Sequence, residues 1–484
     1  MIIATAGHVD HGKTKLIEAI SGVNSDRLPE EKNRGMSIDL GFAYHDLGNG
    51  VILNFIDVPG HERFINNLLS GFSNVDLGLL VIAADDGPMP QTEEHLSILQ
   101  LLQVKNCIIV LTKIDKVNQK RLDNVCCLIK KMMHKTIFSD AEIFHISNKT
   151  SQGIDNLVSH LKIIALNYHH KEVKGNFRLS VDRRFLVKGA GIVITGTVVS
   201  GEVSVGEELI HSKSGESLKI RAIHSQSKKS KNGIQGHRCS LNITGQKITI
   251  DKISRGDWIL SKNVFFLTNR LDAVLSILNN EKKIFKHWTA VHLYLGSGNV
   301  TGRIAILGSF SINPGEKKIV QLVLDKPVHA VFDDKFVIRD ISSSRTIGGG
   351  YILDPFAKKN NNTNFRSFRS ERLKLISPNS SKIVLNNLLL HYIEGIGLKY
   401  FLMSRNLTAS EFEKIIKPLD IVTELYKKHK WLILSTNWIC LQKIILDKLL
   451  KKDQPLSGQG MELNTIIKAI KLNVPNFVVQ NILN

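Results

Sequence analysis

The stretch "GHVDHGKT", Gly7 to Thr14, decides how this chain reads. It follows the apolar run "IIATA" and opens the helical pattern "KTKLIEAI". A strand, a glycine-bracketed loop and a helix in that order fit G-x-x-x-x-G-K-T, the phosphate-binding loop. Backbone amides of such a loop point at a β-phosphate, and the helix N-terminus adds its dipole. Gly7, His8, Val9, Asp10, His11 and Gly12 are therefore the expected cradle. Lys13 would neutralise β/γ oxygens, and the Thr14 hydroxyl would ligate Mg²⁺.

A lone match of this kind can be a chance glycine loop. Three further motifs follow in order, each after an apolar run. "DVPGH" follows "VILNFI"; Asp57 can hold Mg²⁺ through water, and the Gly60 amide can touch a γ-phosphate. "TKID" follows "CIIVL". There Asp115 can accept two hydrogen bonds from guanine N1–H and its 2-amino group, a pair adenine does not offer. The stem of Lys113 can cover the base, with Thr112 before it. "ISNKT" closes the set, with Ser147, Asn148 and Lys149 bracketing the base edge. Four motifs at four strand ends predict a GTPase using GTP/GDP and Mg²⁺.

Working outward, the predicted fold is an α/β P-loop GTPase domain, then two β-barrel domains, then a short α-rich winged-helix region. Residues 1–166 alternate apolar runs with helical patterns, as in a mainly parallel sheet covered on both faces. A polar linker spans 167–176. Short β-rich runs with glycine turns then fill two barrels, 177–263 and 264–355. A polar, Asn-rich linker at 356–372 leads to a winged-helix domain, 373–445. Residues 446–484 read as an incomplete second winged helix.

The totals agree with that division. At 484 residues the chain exceeds one core. Its 64 Lys+Arg against 44 Asp+Glu give a formal charge of +20, which favours a polyanionic partner. Compositional drift towards Lys, Asn and Ile supplies part of that excess. The five cysteines are scattered without a C-x-x-C pair, which argues against a disulfide framework or structural zinc and suits a cytoplasmic protein. No run nears the roughly 20 apolar residues that span a bilayer, and the N-terminus carries no basic leader. No membrane association is expected, and a monomer is.

"GHVDHGKT" with "DVPGH" resembles the translational GTPases of the elongation factor Tu superfamily. The resemblance implies that His61 orients the attacking water. It implies that Val9 and Met36 form an apolar gate before that histidine, and that Ser37 of "RGMSIDLGF" supplies a Mg²⁺-ligating hydroxyl usually given by threonine. "NSDRLPEEKNRGMSIDLGFAY" (24–44), Thr112 in "TKID" and "RDISSSRTIGGGYILDP" (339–355) are similar to the selenocysteine-specific branch, the SelB family. That implies binding of selenocysteinyl-tRNA, delivery to the ribosome at UGA, and an mRNA hairpin read by C-terminal winged helices. Against that family's pattern, only about 120 residues follow the linker, so the hairpin-reading modules are expected to be missing from this chain.

The same resemblance places a selenocysteine pocket at Asp182, Arg183 and Arg238. Asp182-Arg183-Arg184 sits inside "FRLSVDRRFLVKGAG", a strand pattern in which such a charge cluster is unusual. A selenol is far more acidic than a thiol. Selenocysteine is thus anionic near neutral pH, while cysteine, with a pKa of about 8.5, is mostly neutral. Two guanidinium groups in a partly desolvated slot favour the anion and are left unpaired by a neutral guest. The bland alternative is a rim ion pair between Asp182 and Arg183. Arg184 has no counterpart and reads as facing solvent or tRNA.

Overall fold

The computed structural model describes residues 1–484 except 27–28, 35–36, 49–50, 62–63, 72–74, 135, 169–171, 227, 360–363, 378–379, 427–428, 451–474 and 484. They divide into two compact units: residues 1–330 with 334–352, and residues 331–333 with 353–484.

In the first unit, strands β1 (Ile2–Ala6), β2 (Gly41–Asp46), β3 (Ile52–Asp57), β4 (Leu77–Ala83), β5 (Asn106–Thr112) and β6 (Ile143–His145) build one sheet in the order β2-β3-β1-β4-β5-β6. All neighbours are parallel except β2, which runs antiparallel to β3. Helices α1 (Lys13–Ser21), α2 (Pro29–Arg34), α3 (Ile65–Gly71), α4 (Pro90–Leu101), α5 (Gln119–Met133) and α6 (Ile154–Asn167) connect them. β1 and β4 are buried at every position, and apolar at all but Thr5, because both faces of the sheet are covered. Ile2, Ala4, Leu80 and Ile82 pack with Leu96, Leu99 and Val125 on one face. Ile3, Leu79 and Val81 pack with Leu16, Ile17 and Leu157 on the other. A parallel sheet covered this way gathers its functional loops at the C-terminal strand ends.

The first barrel begins with β7 (Arg178–Val187) and β8 (Gly191–Ser200). Its strands run 208–211, 258–260, β7, β8, 238–244, 217–225, and strand 208–211 pairs again with 217–225 to close the ring. The β7–β8 register shifts between Val181 and Arg183, so Asp182 sits at a β-bulge. A bulge inserts a residue and re-aims side chains, and burial along β7 accordingly runs unbroken from Arg178 through Asp182 before the strand turns outward. The second barrel is closed by six strands: 268–277, 317–328, 298–306, 289–295, 335–340 and 346–354. Arg178 donates to both carboxylate oxygens of Asp334 and to His329, joining the two barrels. Glu94 of α4 takes the buried Arg339 of the second barrel at 2.5 Å, with Thr346 donating to the same oxygen.

In the second unit, helices at 381–391, 398–404 and 409–416 precede a hairpin of strands 421–426 and 429–434, with 396–397 as a third strand. This is the helix-and-hairpin order expected of a winged helix. Two expectations meet differences here. Asn364–Ile376 is helical, so the second half of the stretch read as polar linker is not extended. Ser435–Leu450 is one helix that runs across residue 446. Most of the expected second winged helix, 451–474, lies outside the described residues.

Candidate functional site

The loop after β1 needs backbone conformations that side chains resist. Gly7 has φ 132°, and a Cβ there would lie 2.1 Å from the Val81 carbonyl oxygen. Gly12 is left-handed, and Asp10 adopts φ 60° between them. The Gly7 amide donates to Nδ1 of buried His95 on α4 at 2.9 Å. Lys13 is buried, and its amine donates to the Gly7 and His8 carbonyls. Burial pushes its pKa down to about 8, against the pull of Asp57. His11 is fully buried, and burial followed by the neighbouring charges of His8 and Lys13 lowers it to about 4, so its ring is neutral. Neither His11 ring nitrogen has a hydrogen-bond partner among the described residues.

Oxygen donors converge beside the loop. The Thr14 hydroxyl donates to Asp57 at 2.6 Å and lies 3.0 Å from the Ser37 hydroxyl. Ser37 donates to Asp26 at 2.8 Å, and Ser25 and Thr5 donate to the two Asp57 oxygens. Two hydroxyls and two carboxylates form a hard, all-oxygen set, which fits Mg²⁺ and not a soft metal. Asp26, whose pKa is raised chiefly by burial, was not singled out from sequence. Gly60 is pressed against the loop: a Cβ would lie 2.5 Å from Lys13 Nζ and 2.7 Å from the Val9 amide nitrogen. His61 follows, half-buried, its ring edge-on to Phe64 at 6.1 Å. Met36, expected to form an apolar gate with Val9, lies outside the described residues.

The motifs expected to hold the base meet at the other end of the loop. Thr112 is buried, and its hydroxyl donates to the His11 carbonyl at 2.7 Å, a bond that ties "TKID" to the phosphate loop. Asn148 reaches the Gly12 carbonyl at 3.4 Å. Lys113 is left-handed at φ 57°, with its amine 3.4 Å from Asp85. Ser147 donates to Asp115 at 2.6 Å, which holds that carboxyl below its usual range. Asp115 and Lys149 are exposed beside it.

The arginine slot forms where β2 meets the first barrel. Arg238 gives Nε and Nη2 to the two oxygens of Asp182, each at 2.9 Å. Thr195 donates to Asp182 at 2.5 Å. Arg183 does not pair with Asp182. Its Nε donates to Asp39 at 2.9 Å and its Nη2 to the Leu40 carbonyl at 2.6 Å. The rim ion pair is therefore not formed, because the bulge turns Asp182 inward and leaves Arg183 facing β2. The Phe42 ring lies under both guanidiniums, 3.7 Å from Arg238 and 5.6 Å from Arg183. Arg255, missed in the sequence, stands 3.7 Å from Asp39. Burial lowers its pKa against the carboxylates of Asp39 and Asp182. Arg184 is exposed but occupied: its guanidinium donates to the carbonyls of Ile250, Asp251 and Ile253.

The fold and the nucleotide constellation define a P-loop GTP-binding protein. The Elongation factor Tu GTP binding domain family matches residues 1–166, and the Selenocysteine-specific elongation factor, beta-barrel domain, matches 272–359. The selenocysteine-specific elongation factor of Escherichia coli strain K12 is 41% identical over 353 residues, 73% of this chain and 55% of its own length. That of Methanocaldococcus jannaschii is 30% identical over 321 residues, 65% of this chain and 68% of its own. The crystal structure of a bacterial selenocysteine-specific elongation factor superposes with a TM-score of 0.80 at 29% identity, covering 100% of this chain and 77% of that one. The chain belongs to the family of selenocysteine-specific elongation factors. It spans little more than half the length of the Escherichia coli relative.

Proposed function

We propose that this chain binds selenocysteinyl-tRNA in its GTP form, delivers it to the ribosome at UGA codons, and hydrolyses GTP on codon recognition. Lys13 would neutralise β/γ oxygens, the amides of Gly7 to Thr14 would hold the phosphates, and Gly60 would contact the γ-phosphate. Thr14, Ser37 and Asp57 would hold Mg²⁺, which supplies charge neutralisation for phosphoryl transfer. His61 would orient the attacking water, with Val9 and Met36 as its apolar gate. Phosphoryl transfer needs this positioning and charge, with no covalent nucleophile. Thr112, Lys113, Asp115, Ser147, Asn148 and Lys149 would select guanine.

Selenocysteine specificity is assigned to Asp182, Arg183 and Arg238. The observation that carries it is the pair of guanidiniums over Phe42, each held by its own carboxylate. Such a slot suits an anionic side chain and disfavours serine or neutral cysteine. Replacing Arg183 with alanine should lower GTP-dependent protection of selenocysteinyl-tRNA from hydrolysis well before nucleotide affinity falls. Unchanged protection would remove the assignment.

A further inference from the structure

The two slot arginines are held alike. Asp182 takes the Nε–Nη2 edge of Arg238. Asp39 takes the same edge of Arg183, with Nε at 2.9 Å and Nη2 at 2.7 Å from one oxygen. A guanidinium gripped along that edge is fixed in plane, with its Nη1 side outside the grip. Asp39 is itself fixed. The amides of Ile38 and Asp39 both donate to buried Glu31 at 3.0 Å, and Asn67 donates to the Ile38 carbonyl at 2.7 Å. Asp39 lies two residues after Ser37, whose hydroxyl meets Thr14 in the oxygen cluster. Counting Arg255, the group holds three guanidiniums and two carboxylates, 3 − 2 = +1 in formal charge, which one anionic guest would cancel.

We propose that Asp39 is a positioning residue for the anion slot, orienting Arg183 as Asp182 orients Arg238, so that half of the slot belongs to the segment following Ser37. This rests on the slot reading above. It makes selectivity for an anionic aminoacyl group depend on the placement of residues 37–42, and not on the barrel alone.

The test is the ratio of affinities of the full chain, with GTP, for selenocysteinyl- and cysteinyl-tRNA built on one tRNA body. A ratio is unmoved by partial loss of folded protein or by general damage to tRNA binding. Asp39→Asn should lower it about tenfold or more, the scale of a charge-assisted hydrogen bond. Asp39→Glu, which keeps the carboxylate, should recover much of it. An Asp39→Asn ratio within about twofold of the parent, or equal losses in both variants, would overturn the proposal. Arg183→Ala separates the layers. If that change leaves the ratio intact, the slot reading itself fails. If it abolishes the ratio while Asp39→Asn does not, only the positioning role fails.

Discussion

Replacing Arg238 with methionine removes one partner of an enclosed ion pair and leaves the other. Asp182 is 9% exposed and, among the described residues, would keep one hydrogen bond, from the Thr195 hydroxyl at 2.5 Å, with Arg255 as a more distant charge. Breaking a buried pair from one side costs about 3–5 kcal/mol. The lost guanidinium over Phe42, at 3.7 Å, adds about 1 kcal/mol. The double change Asp182→Asn with Arg238→Met deletes both charges and should cost only about 1–2 kcal/mol, because no lone carboxylate remains buried. The cycle should therefore show a coupling of about 2 kcal/mol or more. Urea unfolding followed by tryptophan fluorescence measures it, since Trp258 lies in the same barrel, paired with Ser180 of β7. A single-variant cost below about 1 kcal/mol would refute the reasoning. So would a double variant as unstable as the single one.

Other outcomes follow from the nucleotide end. Thr14→Val removes the hydroxyl that reaches Asp57 and Ser37, so Mg²⁺ should tighten binding of a fluorescent GTP analogue in the parent and far less in the variant. Gly60→Ala forces a Cβ into backbone at Val9 and His8. GDP affinity should hold within about threefold while the preference for a GTP analogue falls about tenfold, the difference reporting the γ-phosphate contact. Lys13, with a pKa of about 8 in the folded chain against 10.5, binds fewer protons than the unfolded chain between those values. Lys13 should therefore contribute stability that rises with pH across 8 to 10.5. GTP affinity should fall over the same window, because the amine must regain a proton to meet phosphate. Titrations of the parent against Lys13→Met at pH 7 to 9.5 check this, and a parallel decline in both would contradict it.

The candidate nucleotide site was legible because its motifs are local. Each lies at one strand end, and residue type and spacing alone place Lys13, Asp57 and Asp115. Helix α5 was not singled out. Its buried residues, Val125, Ile129 and Met133, recur every fourth position, a helical spacing that the apolar run 125–129 masks because Cys127 and Leu128 within it are exposed. The slot was only half legible. "VDRRF" announced charges in a strand, but the bulge that turns Asp182 in and Arg183 away follows from pairing with β8. Asp39 lies 144 residues from Arg183 and Glu94 lies 245 from Arg339, so no local pattern joins either pair. His95 reads as one more polar residue on α4 until the Gly7 amide is found on its ring. Arg184 reads from sequence as facing solvent or tRNA, and its intramolecular partners go unseen because they are backbone carbonyls that sequence does not mark.

The most direct measurement is the affinity of the GTP-bound chain for one tRNA body charged with selenocysteine, cysteine or serine, at pH 7 and pH 9. Recognition by charge predicts tight binding of the selenocysteinyl form at both pH values and weak binding of the seryl form at both. It also predicts a cysteinyl form that gains affinity as its thiol ionises near about pH 8.5. Equal affinities for the three, or a cysteinyl affinity that ignores pH while selenocysteine is still preferred, would contradict the account.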